Sequence, residues 1–393
     1  YYFIDNEYYF NRDGLYGYYD DGERFAFFNR AVLEFIKEID WKPDLINCND
    51  WQTGMVPVLL NLEYKNDKFY SKMKTVFSIH NLLFKGNFIP QVLPELFGYD
   101  YMPLANGSLE LNGMVSFLKG GINYCDEITT VSNTYAEEIK TQQGGEGLDG
   151  LLRSKSEILK GIVNGIDYEE FNPEEDKFIF KNFNCNNIKD KIENKLSLQK
   201  ELGLPQKEDT PMIGLISRLT HQKGCDLIVS IIDRLLQKDI QFVVLGTGDY
   251  WYEETFKNLQ YRYPDKVLAN IKFDNVLAHK IYAGTDMFLM PSLFEPCGLS
   301  QMMSLKYGTI PIVRETGGLA DSVQPYNEFE QTGTGFSFSN YNAHEMMDTI
   351  DYALHTFYDY PDAWDAIVQR AMAEKLDWDA SAEQYIRLFA SLL

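Results

Sequence analysis

Short apolar runs rich in β-branched residues alternate along this chain with stretches of helical period, and this alternation restricts the fold more than any other feature. Strands buried on both faces read as near-continuous apolar runs, and joining two of them in parallel takes a crossover, usually a helix. In the first half the runs are Asp44 to Asn47, Thr75 to His80 and Glu127 to Val131. In the second they are Met212 to Ser217, Gln241 to Leu245, Ala269 to Phe273, Met287 to Met290 and Ile310 to Val313. Helical stretches lie between them, Gly224 to Gln237 and Gly298 to Tyr307 among them. The pattern predicts an α/β chain of βα units building parallel sheets, with ligands at the carboxyl ends of the strands.

A chain of 393 residues, 45% hydrophobic and 15% aromatic, is enough for two domains with a core each. We expect two Rossmann-like domains, residues 1–163 and 164–376, with the site in the cleft between them. Between about Pro173 and Glu208 hydrophobic density falls and Asn, Lys, Asp and Glu dominate, which reads as a surface connection. Within it Asn194 to Leu202 has helical character, stopped by Gly203 and Pro205.

Net charge is −22, with 58 acidic against 36 basic residues. Long-range repulsion therefore opposes nucleic acid and anionic membrane as partners, whereas a neutral polymer such as a glucan meets no such penalty. Cys48, Cys125, Cys185, Cys225 and Cys297 form no Cys-x-x-Cys pair. That argues against a disulfide framework and a zinc site, and fits a reducing cytosol. No apolar run approaches the ~18 residues that cross a bilayer, and no leader-like start is present, so a soluble, cytoplasmic protein is expected. The chain opens abruptly at Tyr1-Tyr2-Phe3-Ile4 without an initiating Met, and its natural N-terminus is expected to lie upstream.

Three turns at strand ends of the second half carry chemistry. Ile216-Ser217-Arg218-Leu219-Thr220-His221-Gln222-Lys223-Gly224 follows a buried strand and precedes a helix. Arg218 and Lys223 can reach one diphosphate there, with helix N-terminal amides beside them; a solvated basic loop is the other reading. Pro291-Ser292-Leu293-Phe294-Glu295-Pro296-Cys297-Gly298-Leu299 holds Glu295 on a tight turn. Its carboxylate can bind sugar hydroxyls, stabilise positive charge at an anomeric carbon, or simply cap a helix. Arg314-Glu315-Thr316-Gly317-Gly318-Leu319-Ala320-Asp321 has paired glycines that let backbone approach a phosphate, and a plain loop is equally open. Coming from successive strand ends of one sheet, the three turns converge.

In the first half His80 ends the run Phe77-Ser78-Ile79-His80, and a lone His is more often structural than catalytic. Asp50, in Asn49-Asp50-Trp51-Gln52, can cap the next helix or accept from a sugar hydroxyl. Asn164, in Asn164-Gly165-Ile166-Asp167, lies at the domain junction, where such residues also form plain turns. Asp377-Trp378-Asp379 matches a metal-holding Asp-x-Asp but opens an amphipathic helix, where acids serve the macrodipole. Gly246-Thr247-Gly248-Asp249 lacks the third Gly of a dinucleotide loop and reads as a turn near the ligand.

In their order and spacing, Ser217-Arg218-Leu219-Thr220-His221-Gln222-Lys223-Gly224, Phe294-Glu295-Pro296-Cys297-Gly298-Leu299 and Thr316-Gly317-Gly318-Leu319-Ala320-Asp321 resemble bacterial glycogen synthases and plant starch synthases. The resemblance spans the chain from Tyr9-Phe10-Asn11-Arg12-Asp13-Gly14-Leu15-Tyr16-Gly17 to the helix after Trp378. It implies a GT-B fold: two Rossmann-like domains facing across a cleft, the N-terminal one incomplete, and a C-terminal helix, 377–393, packing back on the first domain. It implies transfer of glucose from ADP-glucose to the non-reducing end of an α-1,4-glucan with retention of configuration, using no metal and no cofactor. By position it implies that Arg218 and Lys223 neutralise the leaving diphosphate, that Glu295 contacts the donor glucose, and that His80 and Asn164 bind the donor sugar close to Asp50. Cys297, Gly298 and Leu299 fall at substrate-binding positions, as do the amides of Thr316, Gly317, Gly318 and Leu319, and Phe273 falls where it can stack on adenine. Retention without an obvious nucleophile points to acceptor attack on the face the diphosphate leaves, with a diphosphate oxygen as base.

Two departures stand against that pattern. The family's opening strand and Lys-x-Gly-Gly-Leu loop do not occur here, so the chain as given is expected to lack part of the donor site and to be inactive or unstable alone. Position 303 is Met, where many GT-B enzymes carry a second Glu. The competing readings are a UDP-glucose-dependent relative, an epimerase of the same fold, and a catalytically silent glucan-binding scaffold. A pure binding module needs no diphosphate clamp, and no lysine context suggests the pyridoxal phosphate of a phosphorylase.

Overall fold

The computed structural model describes residues 1–393. The chain divides into two compact units, residues 1–162 with 384–393, and residues 163–383. No helix is long and apolar enough to cross a membrane.

The first unit has seven strands: β1 (Leu45–Asn49), β2 (Lys74–Ile79), β3 (Asn87–Phe88), β4 (Glu110–Leu111), β5 (Met114–Ser116), β6 (Glu127–Thr130) and β7 (Leu159–Gly161). Four of them make a parallel sheet in the order β1-β2-β6-β7, and a small antiparallel ribbon runs β3-β5-β4. In β2 the run Thr75 to Ile79 is wholly buried, as a strand covered on both faces must be. The helix Phe117–Tyr124 lies close on that strand because Gly121 faces it. A Cβ at Gly121 would stand 2.5 Å from the Phe77 ring.

The second unit has one sheet of six parallel strands: β8 (Met212–Ile216), β9 (Gln241–Leu245), β10 (Val267–Asn270), β11 (Met287–Met290), β12 (Ile310–Arg314) and β13 (Phe336–Phe338). Their order is β10-β9-β8-β11-β12-β13. Strands add outward from β8 in one direction and then from β11 in the other, which puts the topological switch point between β8 and β11. The helix Cys225–Leu235 buries Cys225, Ile228, Ile231, Ile232 and Leu235 on one stripe against this sheet. Each such aliphatic side chain, fully buried, contributes about 1.5–3 kcal/mol of transfer free energy. Phe242, Phe288, Ile312 and Phe336 lie in the same core.

Residues 173–208, expected as a surface connection, are instead packed onto the second unit. Ile179 and Phe183 belong to its core, and Asn194, Lys195 and Gln199 are buried. Low hydrophobicity concealed this because the buried groups are polar but partnered. Asn194 accepts from the amides of Phe180 and Lys181 and donates to the Lys181 carbonyl. Gln199 bonds Lys207 and Gln241, and Lys195 pairs with Asp286 at 2.8 Å. The helix here runs Lys191–Leu202 and ends on Gly203 at φ 74°.

Asp176 ties the same segment to two helices of this unit, at His279 within Asn275–Gly284 and at Tyr307 just after Ser300–Lys306. Its Oδ2 lies 2.7 Å from His279 Nδ1 and accepts from the Tyr307 hydroxyl at 2.5 Å, with all three side chains buried. Burial alone would raise the Asp176 pKa, but hydrogen bonds from His279, Tyr307 and the Phe178 amide hold it below the ordinary aspartate value. The unfolded chain then has the higher pKa, ~3.9, so this contribution is fully present above about pH 4 and fades as pH falls below it. Asp176→Asn should therefore cost about 2–4 kcal/mol near neutrality. In urea melts the gap between variant and wild type should stay constant down to about pH 4 and narrow as pH falls from there to about pH 2. A gap that stays constant over that range would refute the assignment.

Candidate active site

The switch point of the second unit gathers the three turns. Arg218 and Lys223 follow β8, and Glu295 follows β11. Lys223 Nζ lies 2.5 Å from Glu295 Oε2, although the two residues are 72 apart in the chain. Ser292, itself buried, donates its hydroxyl to the same carboxylate oxygen at 3.0 Å. The Leu293 amide donates to the Gln222 carbonyl at 2.9 Å. This approach needs glycine at position 224: its φ is 74°, and a Cβ there would stand 2.1 Å from the Pro291 carbonyl oxygen.

The third turn, after β12, seats the Glu295 backbone. The Gly318 amide donates to the carbonyls of Glu295 and Pro296, each at 3.1 Å. A Cβ on Gly317 would come within 2.0 Å of the Glu295 carbonyl oxygen, and one on Gly318 within 1.9 Å of that of Cys297. The paired glycines thus pack against the backbone of residues 295–297. The amides of Thr316 and Leu319 bond the carbonyls of Arg314 and Thr316.

Arg218 donates to the Gln222 side chain at 3.1 Å. Gly246 and Gly248 brace its turn from the end of β9, where the Leu219 amide donates to the Thr247 carbonyl and the Asp249 amide to that of Leu219. The Asn164 amide bonds the Cys297 thiol, which opposes the burial that pushes this thiol up to about 11. Gly298, at φ 68°, precedes the helix Ser300–Lys306, and Leu299 is partly exposed at its start. Phe273 is 91% exposed and lies beyond the end of β10, which stops at Asn270 rather than continuing to residue 273. The sequence pattern does not single out Ser292, Gln222 or Arg314. Arg314 donates to the carbonyls of Ser292, at 2.8 Å, and Leu293. Nothing local in the chain signals that bond, because its acceptors sit on another turn.

In the first unit, Asp50 and His80 meet at the ends of β1 and β2. The Asp50 carboxylate accepts from the His80 amide at 2.8 Å and makes no cap to the short turn Trp51–Thr53. Asp50 holds φ 57°, a left-handed conformation costly for a residue with a side chain. Burial raises its pKa, opposed by the neighbouring His80. His80 Nε2 lies 2.9 Å from the Asn49 side-chain oxygen. No group of three or more His, Cys, Asp or Glu side chains is arranged to hold a metal ion.

A cation and a carboxylate thus meet on adjacent turns at the switch point of a parallel sheet, where ligands of such sheets bind, in a chain with a second parallel-sheet unit. Residues 1–154 match the starch synthase catalytic domain, and residues 198–365 match glycosyl transferases group 1. The chain is 63% identical to glycogen synthase of Clostridium perfringens over all of its own length and 81% of that protein. It is 52% identical to glycogen synthase of Geobacillus thermodenitrificans, again over its whole length and 81% of the relative. Among solved structures it is similar to the catalytic domain of starch synthase IV from Arabidopsis thaliana bound to ADP and acarbose. That likeness has 35% identity and a TM-score of 0.89, over 97% of this chain and 79% of the other. Sucrose-phosphate synthase from Thermosynechococcus elongatus, at 17% identity and a TM-score of 0.60 over 94% and 78%, shares the fold alone. The chain belongs to the glycogen synthase family.

Proposed function

We propose that the protein transfers glucose from ADP-glucose to the non-reducing end of an α-1,4-glucan with retention of configuration. The observation that carries this reading is the Lys223–Glu295 pair at the switch point, a cation and a carboxylate held on adjacent turns. Departure of the donor's diphosphate builds negative charge on its oxygens and oxocarbenium character on the glucose. Arg218 and Lys223 answer the first and Glu295 the second, so both favour the transition state over the ground state. Asn164 beside Cys297 borders the Glu295 turn, and Phe273 offers an exposed ring for adenine. On the first unit, His80 and Asp50 supply polar groups for the donor sugar. The acceptor hydroxyl attacks from the face that the diphosphate leaves, giving its proton to a diphosphate oxygen.

The family membership supports this reading, as does a similar solved structure that holds ADP and acarbose. The test is transfer of labelled glucose to glycogen by the full-length protein, from ADP-glucose and separately from UDP-glucose. ADP-glucose should be the better donor; preference for UDP-glucose would replace that assignment. No transfer from either by a folded protein that still binds glycogen would favour a scaffold. Because the charge facing the diphosphate comes from side chains, a chelator should leave the rate unchanged, and a rate that collapses on chelation would show a metal in the step.

A further inference from the structure

We infer that Ser292 is a positioning residue, holding the Glu295 carboxylate in place when Lys223 leaves it for the diphosphate. The inference rests on the roles proposed above for Lys223 and Glu295.

A single oxygen, Glu295 Oε2, takes both donors, Lys223 Nζ at 2.5 Å and Ser292 Oγ at 3.0 Å. The two demands on Lys223 conflict. Its ammonium is one point charge, and a diphosphate drawing it away removes the cation that neutralises Glu295. The carboxylate then stays largely desolvated, with a relative side-chain exposure of 9%, and a charged acceptor without donors is costly there. The Ser292 hydroxyl remains on the same oxygen.

The two donors also differ in freedom. Lys223 swings on a four-carbon stem. Ser292 is 1% exposed, has one side-chain rotor, and follows Pro291, whose ring limits the backbone. Its carbonyl accepts from Arg314 Nε at 2.8 Å, and the same guanidinium holds the Leu293 carbonyl. The Leu293 amide is tied in turn to Gln222. A fixed hydroxyl on Oε2 keeps the carboxylate plane constant and leaves Oε1 for the sugar. The exchange swaps hydrogen-bond partners only; no covalent bond changes.

The experiment compares wild type, Ser292→Ala, Ser292→Thr, Glu295→Gln and the Ser292→Ala/Glu295→Gln double variant, full length, with glycogen saturating and ADP-glucose varied. Ser292→Ala should lower kcat about tenfold, with the donor KM changed less than about threefold. The thermal midpoint should stay near the wild-type value, and Ser292→Thr, which keeps the hydroxyl, should recover most of the rate. In the Glu295→Gln background, Ser292→Ala should cost less than about twofold, because the partner it serves is altered. Wild-type kcat in Ser292→Ala, a loss tracking a lowered midpoint, or an equal cost in both backgrounds overturns the inference while leaving Glu295 its role. Full turnover in Glu295→Gln removes the role of Glu295, and this inference with it.

Discussion

Lys223→Ala should lower kcat by about a hundred- to a thousandfold, the loss seen when one donor to developing negative charge is removed from a preorganised site. Two effects combine. The diphosphate loses one of the two cations proposed to face it, and Glu295, buried beside Ser292, loses the ammonium 2.5 Å away. The second effect costs about 1–3 kcal/mol of stability, too little to unfold a core of this size, so the defect should be catalytic. If Lys223 acts only in the transition state, kcat and kcat/KM fall together; a rise in KM alone would mean that it merely binds the donor. Lys223→Arg should not restore full rate, because a planar fork does not replace a compact point charge. A Lys223→Ala variant within threefold of wild type in kcat would remove the residue from the mechanism.

Gly224→Ala is expected to have the next largest effect. Its Cβ would stand 2.1 Å from the Pro291 carbonyl oxygen, at a φ of 74° that already disfavours a side chain. The turn bearing Arg218 and Lys223 must then move away from the turn bearing Glu295. Overpacking and backbone strain together should cost about 2–4 kcal/mol. A displacement of about 1 Å should cost a further hundredfold or so in kcat. Gly203 is the matched control. It has the same φ of 74° but nothing within 4 Å of a Cβ, so Gly203→Ala pays only the conformational penalty of about 1–2 kcal/mol and should keep its turnover. Urea melts and initial rates on the two variants separate backbone preference from close approach. Equal behaviour would show that the contact between the turns does not set the site.

Much of the fold was legible because a strand buried on both faces announces itself. The runs Gln241 to Leu245 and Met287 to Met290 are β9 and β11 residue for residue. The third run of that sheet reads too far along the chain: the pattern gives Ala269 to Phe273 where the strand is Val267–Asn270, since an apolar pattern does not reveal where ladder bonds stop. Residues 173–208 have the composition of a surface segment because composition counts only apolar side chains. It does not see that Asn194, Gln199 and Asp176 are buried with their partners.

What the chain determined by itself was local or compositional: α/β class, strand runs, the three turns with their Arg, Lys, Glu and glycines, and the family those turns mark. The tertiary structure alone decided the pairings. Lys223 meets Glu295, Arg314 holds Ser292, and the paired glycines receive the backbone of Glu295. Those partners lie far apart in sequence, and only the order of strands, with β8 beside β11 and β11 beside β12, brings their turns within hydrogen-bond reach. Hydrogen bonds and ion pairs act over a few ångströms, so residue type can propose such a contact but only the folded geometry makes it.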